Sequence, residues 1–390
     1  MRPYHHRHRI LFLFLIALLL LHPFASSLSL AETEAKDIVN KCILRVSCNR
    51  EQRQYLTTRS LHQWWDGDVD GVLTVTLPKG KKAQGVMLAF YEAVPELIIE
   101  GLDGDTPAEI ARYQQPYHNQ FIPFEKAVNA FQIRCVGEIP LKISRVNVLT
   151  EGLLPAWVQS WQPPEENAEL LLIATHPDDE VLWFGGLLPL YAGELQRRVA
   201  IAFVHTCARL DSRNELLDAL WHCGVRSYPY IPDQPYTSDY LGYVTSCVRK
   251  AKPQVVVTQD INGEYGHLAH RLTVAAVISA VAEGGAADPA MYPESAAAFG
   301  LWQPQKLYIH LWPENQSTFD WMQRLPALGN KSAYRIAVEA FKKHMSQQSG
   351  RHEVSLSGLY DCRKLGLYFS LVGPDDTAHP DLLQHIEPLE

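Results

Sequence analysis

The chain has 390 residues, of which 47% are hydrophobic and 20% are charged. This is the composition of a globular protein, and the length exceeds that of one ordinary domain, so we predict two domains. The net charge of −8 provides no basic surface for nucleic acid, which we exclude as a partner. The seven cysteines are scattered and form neither a zinc-ribbon pattern nor a redox Cys-x-x-Cys pair.

The first 31 residues have the layout of a secretory signal peptide. Three arginines precede the apolar run 10–21, and Ser29-Leu30-Ala31 then provides a small-residue cleavage site. The twelve apolar residues are fewer than the roughly 20 that a membrane-spanning helix needs, so an uncleaved anchor is the less favoured alternative. We expect a secreted or extracytoplasmic protein without a membrane span after cleavage. Cys42–Cys135 is a candidate disulfide in that compartment.

Residues 32–155 are predicted to form a smaller antiparallel β-sandwich. Strand patterns occupy three segments of it: 71–77, 86–91 and 141–148. Segment 61–68 weakly resembles the early part of discoidin-like (galactose-binding-like) sandwiches, which often bind carbohydrate. Trp64 and Trp65 in this segment either stack on a sugar from exposed positions or belong to the core. The core interpretation is slightly favoured.

Residues 156–168 are the predicted linker to a second domain at 169–376, and residues 377–390 are a predicted tail. In the second domain apolar strand patterns alternate with helical ones, which predicts an α/β Rossmann-like three-layer sandwich with a mainly parallel sheet. The predicted strands are 170–174, 199–205, 225–231, 255–259 and 307–311. The predicted helices are 212–222 and 271–282. No Gly-x-Gly-x-x-Gly follows the first strand, so no dinucleotide is implied.

The residues suited to catalysis are concentrated in two clusters, each after a predicted buried strand. The first contains His176, Asp178 and Asp179, and the second contains His267 and His270. Open α/β sheets bind their ligands at the carboxyl ends of the strands. A catalytic zinc site takes three nitrogen or oxygen ligands and leaves a position for water. We therefore predict that the two clusters are the halves of one metal site.

The spacing within each cluster suggests how the roles are divided. His176 and Asp179 are three residues apart and can face one point from a tight turn, whereas the adjacent Asp178 must point elsewhere. Asp178 could then act as general base towards a metal-activated water. One of His267 and His270 would complete the ligand set, and the other would stabilise an oxyanion or protonate a leaving amine. Spacing alone leaves that choice open.

The two motifs, His-Pro-Asp-Asp-Glu at 176–180 and His-Leu-Ala-His at 267–270, resemble those of the PIG-L/LmbE family of zinc-dependent N-acetylglucosaminyl deacetylases. The resemblance covers about residues 165–376 and includes segments 306–312 and 344–347. It implies Zn²⁺, or another divalent metal, as cofactor and an N-acetylated sugar or glycan as substrate. The roles that it implies are zinc ligand for His176, Asp179 and His270, general base for Asp178, and stabilisation of the tetrahedral intermediate for His267.

The same resemblance assigns further residues. The segment from Arg213 to Glu215 is similar to the family's Arg-x-Glu helix, near which an arginine helps to bind the sugar. Arg213 is therefore the candidate substrate-binding residue, and Arg209 is a weaker one. Glu180 either supports the metal ligands from behind or only favours the start of a helix.

The sequence thus predicts an exported metal-dependent hydrolase that deacetylates N-acetylglucosamine-type amino sugars in a glycan or glycoconjugate. One alternative is a carbohydrate-binding cell-surface protein with a degenerate hydrolase domain. Another is an Fe²⁺ site for oxygen chemistry, formed by two histidines and a carboxylate. The intact five-residue motif favours the hydrolase over the first alternative. The predicted α/β fold favours it over the second, because such iron sites normally lie in β-barrels.

Overall fold

The computed structural model describes residues 33–58, 63–206, 210–232, 237–348 and 352–389. The predicted signal peptide and Arg209 lie outside these residues. Within them, no helix is both long enough and apolar enough to cross a membrane.

The amino-terminal part of the described chain folds into two antiparallel sheets. One sheet has the strand order β1-β3-β8-β5-β6 and the other has the order β2-β9-β4-β7. The strands are β1 (Ile43–Val46), β2 (Trp65–Asp66), β3 (Val72–Thr76), β4 (Ala83–Phe90), β5 (Glu96–Gly101), β6 (Ala108–Gln114), β7 (Asn119–Val128), β8 (Ala130–Cys135) and β9 (Lys142–Thr150). Each of the three segments predicted as strands coincides with one of them, namely β3, β4 and β9.

The two sheets share one apolar core, to which both contribute buried side chains. Such a core between antiparallel sheets is the arrangement expected of a β-sandwich. Trp65 is fully buried in it and donates its indole N–H to the Cys48 carbonyl at 3.0 Å. The core interpretation is therefore correct for Trp65. Trp64 is half-buried and stacks on Tyr91, with 3.6 Å between the ring centroids.

The candidate Cys42–Cys135 disulfide is wrong, because both residues are free thiols. Cys42 directly precedes β1 and Cys135 ends β8, and these two strands lie on opposite sides of β3. Two strand spacings separate them by about 10 Å, which exceeds the Cα separation of about 7 Å that a disulfide tolerates. The Cys42 thiol instead contacts the Ile38 carbonyl at 3.3 Å.

The carboxyl-terminal part forms an α/β domain around a mixed, mostly parallel sheet with the order β11-β10-β12-β13-β17-β14. Strands β10, β11, β12 and β13 are parallel, and β17 runs antiparallel to β13 and β14. The strands are β10 (Leu170–Ala174), β11 (Val199–Phe203), β12 (Val255–Thr258), β13 (Lys306–His310), β14 (Gln316–Thr318), β15 (Arg324–Leu325), β16 (Lys331–Ser332) and β17 (Lys364–Ser370). The helices are α1 (Asp179–Leu182), α2 (Leu210–His222), α3 (Tyr240–Ala251), α4 (Leu268–Val281), α5 (Pro293–Phe299) and α6 (Ala333–Phe341).

Both faces of this sheet are covered. Alternate residues of β10 pack into two different cores, one shared with α2 and α6 and the other shared with α3 and α4. This explains why β10 to β13 consist wholly of buried residues, as parallel strands between two helical layers do. The prediction of a mainly parallel α/β sheet is confirmed, and the Rossmann-like assignment stays a prediction.

The predicted strand 225–231 is wrong. Ser227 and Tyr230 form only isolated bridges, to Gln162 and Ala202 respectively. Pro229 lies between them and has no N–H to donate, which interrupts a regular ladder. The other predicted strands of the domain correspond to β10, β11, β12 and β13.

The order of the parallel strands places the functional region. The chain passes from β10 to β11 on one side and returns to β12 on the other side of β10. The carboxyl ends of β10 and β12 therefore flank the point at which strand order reverses, where open α/β sheets form a ligand crevice. His176 follows β10, and His267 and His270 follow β12.

Candidate metal centre

The loop after β10 is a tight turn held by its own side chains. The Asp179 side chain accepts a hydrogen bond from the His176 backbone N–H (Oδ2, 2.7 Å), and the Asp179 N–H donates to the His176 carbonyl at 3.2 Å. Helix α1 begins at Asp179, so the first turn of that helix carries a carboxylate towards the His176 ring. Thr175, just before the turn, donates its backbone N–H and its hydroxyl to Oε1 of Gln259, at 2.8 and 2.5 Å.

Three side chains from two loops converge on one point. The His176 Nδ1 and His270 Nε2 atoms are 3.1 Å apart, and Oδ2 of Asp179 lies 3.4 Å from each of them. Ligands bound to zinc at about 2.1 Å in a tetrahedral arrangement are about 3.4 Å from one another. Because the donor atoms already have the spacing of such a set, these three residues fit a zinc ion.

His267 offers a second combination. Ligand atoms of His176, His267 and His270 lie within 4.8 Å of one another, which is looser than the 3.4 Å spacing around Asp179. The Nδ1 atom of His267 is buried without a hydrogen-bond partner among the described residues. The set with Asp179 therefore fits a metal better, and His267 keeps a ring nitrogen available for another ligand.

The second cluster sits at the start of a helix. Helix α4 begins at Leu268, with His267 as its N-cap and His270 in its first turn. The prediction that helical structure starts at 271 was wrong by three residues. Leu268 is largely exposed at 64%, whereas His270 is buried at 1%, so the first turn of α4 directs one histidine inward.

Glu264, to which no sequence motif assigns a role, orients His270. Its Oε2 atom lies 2.6 Å from His270 Nδ1, and its Oε1 atom lies 3.1 Å from Nδ1 of His310, at the end of β13. A carboxylate only accepts hydrogen bonds, so it places the His270 proton on Nδ1 and leaves Nε2 free for a metal. The Gln259 amide nitrogen also lies near this Nδ1, at 3.0 Å, but Glu264 is closer and charged.

Trp183 holds Asp179 in a similar way. The buried indole N–H donates to Oδ1 of Asp179 at 2.6 Å. Oδ1 is thus occupied, and Oδ2 is the oxygen that faces His176 and His270. Neither Trp183 nor Glu264 could be identified from spacing alone, although both lie within a few residues of the predicted ligands.

The charges of the ligand set are mutually stabilised. Burial raises the pKa of Asp179, but the nearby His270 and the hydrogen bond with His176 outweigh it and lower that pKa overall. Burial lowers the pKa of His270, but Asp179 and Glu264 outweigh it and raise that pKa overall. The site therefore has a net attraction for positive charge.

Asp178 differs from its neighbour. Burial, followed by the charges of Asp179 and Glu180, raises the pKa of Asp178 well above its ordinary value. Burial and the nearby His270 and His176 lower the pKa of His267. A carboxylate with raised proton affinity and a histidine with lowered proton affinity thus lie beside the ligand set, which suits a pair of groups that exchange protons near neutral pH.

His176 and Asp179 line a cavity of about 220 Å³. Asp178 and His267 line it together with the aromatic side chains Trp183 and Tyr265. His352 stacks on Tyr265 at the cavity wall, with ring centroids 4.5 Å apart. The cavity is large enough for a small polar group of a substrate, and its wall has the aromatic surface on which sugar rings pack.

Arg213 is not brought to this cavity. Its guanidinium donates to the carbonyls of Phe90 and Tyr91, at 3.0 and 2.9 Å, in the sandwich domain. Burial lowers its pKa to about 10. These are the contacts of a residue that joins the two domains, and the sugar-binding role of Arg213 stays a prediction.

Comparison with known proteins agrees with the motifs. The family model described as "PIG-L: GlcNAc-PI de-N-acetylase" matches residues 171–281. Residues 171–281 are thus similar to a PIG-L domain. This region contains the candidate metal ligands His176, Asp179 and His270, and the family resemblance predicted from the two motifs is confirmed.

Two curated relatives are similar to part of this chain. The 1D-myo-inositol 2-acetamido-2-deoxy-alpha-D-glucopyranoside deacetylase 1 of Catenulispora acidiphila is 28% identical over 222 residues, which are 45% of this chain and 65% of the relative. The 1D-myo-inositol 2-acetamido-2-deoxy-alpha-D-glucopyranoside deacetylase of Geodermatophilus obscurus is 36% identical over 98 residues, which are 24% of this chain and 30% of the relative. The chain thus spans less than two thirds of the length of these relatives.

Among solved structures, the N,N'-diacetylchitobiose deacetylase from Pyrococcus horikoshii, complexed with an inhibitor, is similar to part of this chain. It is 21% identical, covers 48% of this chain and 74% of its own, and has a TM-score of 0.37. A similarity at that score supports no further conclusion.

Proposed function

We propose that this protein is a metal-dependent deacetylase that hydrolyses the acetamide of an N-acetylglucosamine-type amino sugar. The observation that carries the proposal is the convergence of His176 Nδ1, Asp179 Oδ2 and His270 Nε2 within 3.4 Å of one another. Asp178 and His267 flank these atoms in the same cavity. The curated relatives named above are deacetylases of a 2-acetamido sugar, which supports the substrate class.

Zinc held by His176, Asp179 and His270 would supply a Lewis acid and a water whose pKa falls towards about 7. Glu264 and Trp183 orient two of these ligands. Glu264 accepts a hydrogen bond from His270 Nδ1, which leaves His270 Nε2 for the metal. Trp183 donates to Asp179 Oδ1, which leaves Oδ2 for the metal. The burial of both supporting side chains excludes water that would compete for these hydrogen bonds.

The proton movements are assigned to Asp178 and His267. Asp178 takes a proton from the attacking water at its carboxylate and returns it to the departing amine, a task for which its raised pKa is suited. His267, with its ring proton on the otherwise unpartnered Nδ1 atom, donates a hydrogen bond to the acetamide oxygen as negative charge develops there. Tyr265 and Trp183 supply aromatic surface for the sugar.

We also propose that residues 1–31 direct the protein out of the cytoplasm and that the substrate is part of a glycan or glycoconjugate. The support for export is the pattern of arginines, apolar run and small residues in the sequence. The β-sandwich would then contact the rest of the glycan, since it joins the α/β domain through Arg213.

The test is acetate release by the mature protein from a panel of N-acetylglucosamine-containing glycans, with chelator and after zinc is restored. Chelator-sensitive, zinc-restored acetate release is expected. Asp178→Asn should retain zinc and lose about 10²- to 10⁴-fold in kcat. The exposed Asp320→Asn, elsewhere in the same domain, is the matched control and should behave as wild type.

Two results would contradict the proposal. Full turnover by Asp178→Asn would remove Asp178 as the base. A wild-type protein that binds glycans, contains no metal and releases no acetate would favour the carbohydrate-binding alternative instead.

A further inference from the structure

Asp178 has a backbone conformation that requires external support. Its φ of +107° and ψ of −28° lie outside the regions that residues with a side chain normally occupy. Such a conformation persists only where surrounding contacts enforce it. The contact on the Asp178 N–H is a hydrogen bond of 2.8 Å to Oε2 of Glu180, two residues ahead.

Glu180 is in turn held by a residue that is distant in the sequence. Its side chain is fully buried, and its Oε1 atom lies 2.7 Å from Nε2 of His344, which is fully buried as well. A buried carboxylate needs partners for its oxygens, and here one oxygen takes the Asp178 N–H while the other takes His344. The two hydrogen bonds together fix the direction in which Glu180 points.

Neighbouring contacts hold His344 beside Glu180. It follows α6, and its Nδ1 atom has no hydrogen-bond partner among the described residues, so Nε2 is the atom through which the ring is held. Ser346, two residues later, donates its hydroxyl to Glu215 of α2 at 2.7 Å. Phe341 and Gln347, on either side of His344 in the chain, line the cavity of the metal centre.

We propose that His344 is a positioning residue for the general base: it orients Glu180, which maintains the strained backbone that aims the Asp178 carboxylate into the cavity. This role rests on the proposed function. His344 is not itself a catalytic residue, because its ring reaches the cavity only through Glu180. The Glu180–His344 pair, 164 residues apart in sequence, thus makes the carboxyl-terminal segment 341–347 part of the catalytic apparatus.

The test compares His344→Leu with His344→Gln in the full mature protein loaded with zinc. Leucine removes the donor, whereas the glutamine amide retains an N–H at nearly the same distance from the backbone. We expect His344→Leu to lose about 10- to 100-fold in kcat, the range that loss of such supporting hydrogen bonds produces. KM and zinc content should be unchanged, and His344→Gln should recover most of kcat.

His222→Leu is the matched control. His222 also pairs its Nε2 with a carboxylate, that of Glu339 at 3.1 Å, in the same domain. This pair has no hydrogen bond to residues 176–180. It should leave kcat unchanged. Thermal melting of every variant separates a loss of folded protein from a loss of turnover.

The proposal is overturned if His344→Leu keeps wild-type kcat, if leucine and glutamine lower kcat equally, or if the loss follows a loss of zinc. Should His344→Leu fail to fold, His344→Asn replaces it, because the shorter amide cannot reach Glu180. Equal kcat for the asparagine and glutamine variants would then overturn the role. Acetate release by the wild type is measured first. Its absence refutes the proposed function, whereas an active wild type with unaffected variants refutes only the positioning role.

Discussion

Replacing Glu264 by glutamine should weaken metal binding without removing a ligand. In the structure Glu264 accepts hydrogen bonds on both oxygens, from His270 Nδ1 at 2.6 Å and from His310 Nδ1 at 3.1 Å. The Asp260 N–H also donates to Oε1 at 2.8 Å. A glutamine must retain its oxygen on the Asp260 side, because the backbone N–H there can only donate. Its NH₂ group would then face His270.

The consequence is a change of tautomer. With an NH₂ donor beside it, His270 Nδ1 has to accept, so the ring proton moves to Nε2, which is the atom that faces Asp179 at 3.4 Å. A protonated Nε2 cannot bind a metal. The hydrogen bond to a charged group that is lost stabilises by about 1.5–3 kcal/mol. This corresponds to a decrease in zinc affinity of about 10- to 100-fold, the range known for such supporting carboxylates.

The assay is competition for zinc with a chromophoric chelator, followed by optical titration of the apo protein at neutral pH. Glu283→Gln, an exposed change just beyond α4, is the control and should bind zinc as the wild type does. Wild-type affinity in Glu264→Gln would refute the tautomer argument. So would an equal loss of affinity in both variants.

Three further outcomes test other parts of the structure. Trp65→Ala should destabilise the β-sandwich by about 3–5 kcal/mol in chemical denaturation, because it empties a fully buried site, while the zinc content stays unchanged. Arg213→Met should lower the unfolding midpoint, since it leaves the Phe90 and Tyr91 carbonyls without their donor; a raised KM with unchanged stability would instead support the predicted sugar-binding role. Burial raises the pKa of Glu339, but hydrogen bonds from Lys331, Arg335 and His222 outweigh it and lower that pKa from 4.5 to about 2. This contribution to stability is complete above pH 4.5 and is lost as the pH falls towards 2. Glu339→Gln should therefore flatten the dependence of the unfolding midpoint on pH in that range. An unchanged slope would exclude this contribution of Glu339.

Local patterns predicted the parts of the fold that depend on local structure. The apolar segment 170–174 became β10 with the predicted bounds, because a strand buried on both faces leaves an uninterrupted apolar run. The strand predicted at 225–231 was wrong. The segment forms only isolated bridges, and Pro229 has no N–H to donate to a strand ladder. The predicted start of α4 was three residues late, because the apolar helical pattern begins only at 271, after the two histidines.

The same limit applies to the site. The predicted ligands follow strands whose carboxyl ends share one sheet edge, so their convergence could be expected from topology. Their supporting partners could not. Glu264 meets His310 across 46 residues and Glu180 meets His344 across 164, and no periodicity in a sequence encodes such pairings. Arg213 illustrates the converse, since its helix was predicted but not the domain that its guanidinium contacts.

The separation of the ligands along the chain has a consequence for folding. His176 and His270 are 94 residues apart, and they approach each other only after β10 and β12 have paired. An unfolded chain would have to close a long loop before it could hold an ion with both, and that closure is entropically costly. A metal that recognises only the assembled site shifts the equilibrium towards the native state in proportion to its free concentration. The midpoint of thermal unfolding should therefore rise with added zinc. Zinc binding would then measure the fraction of chains in which β10 and β12 have paired.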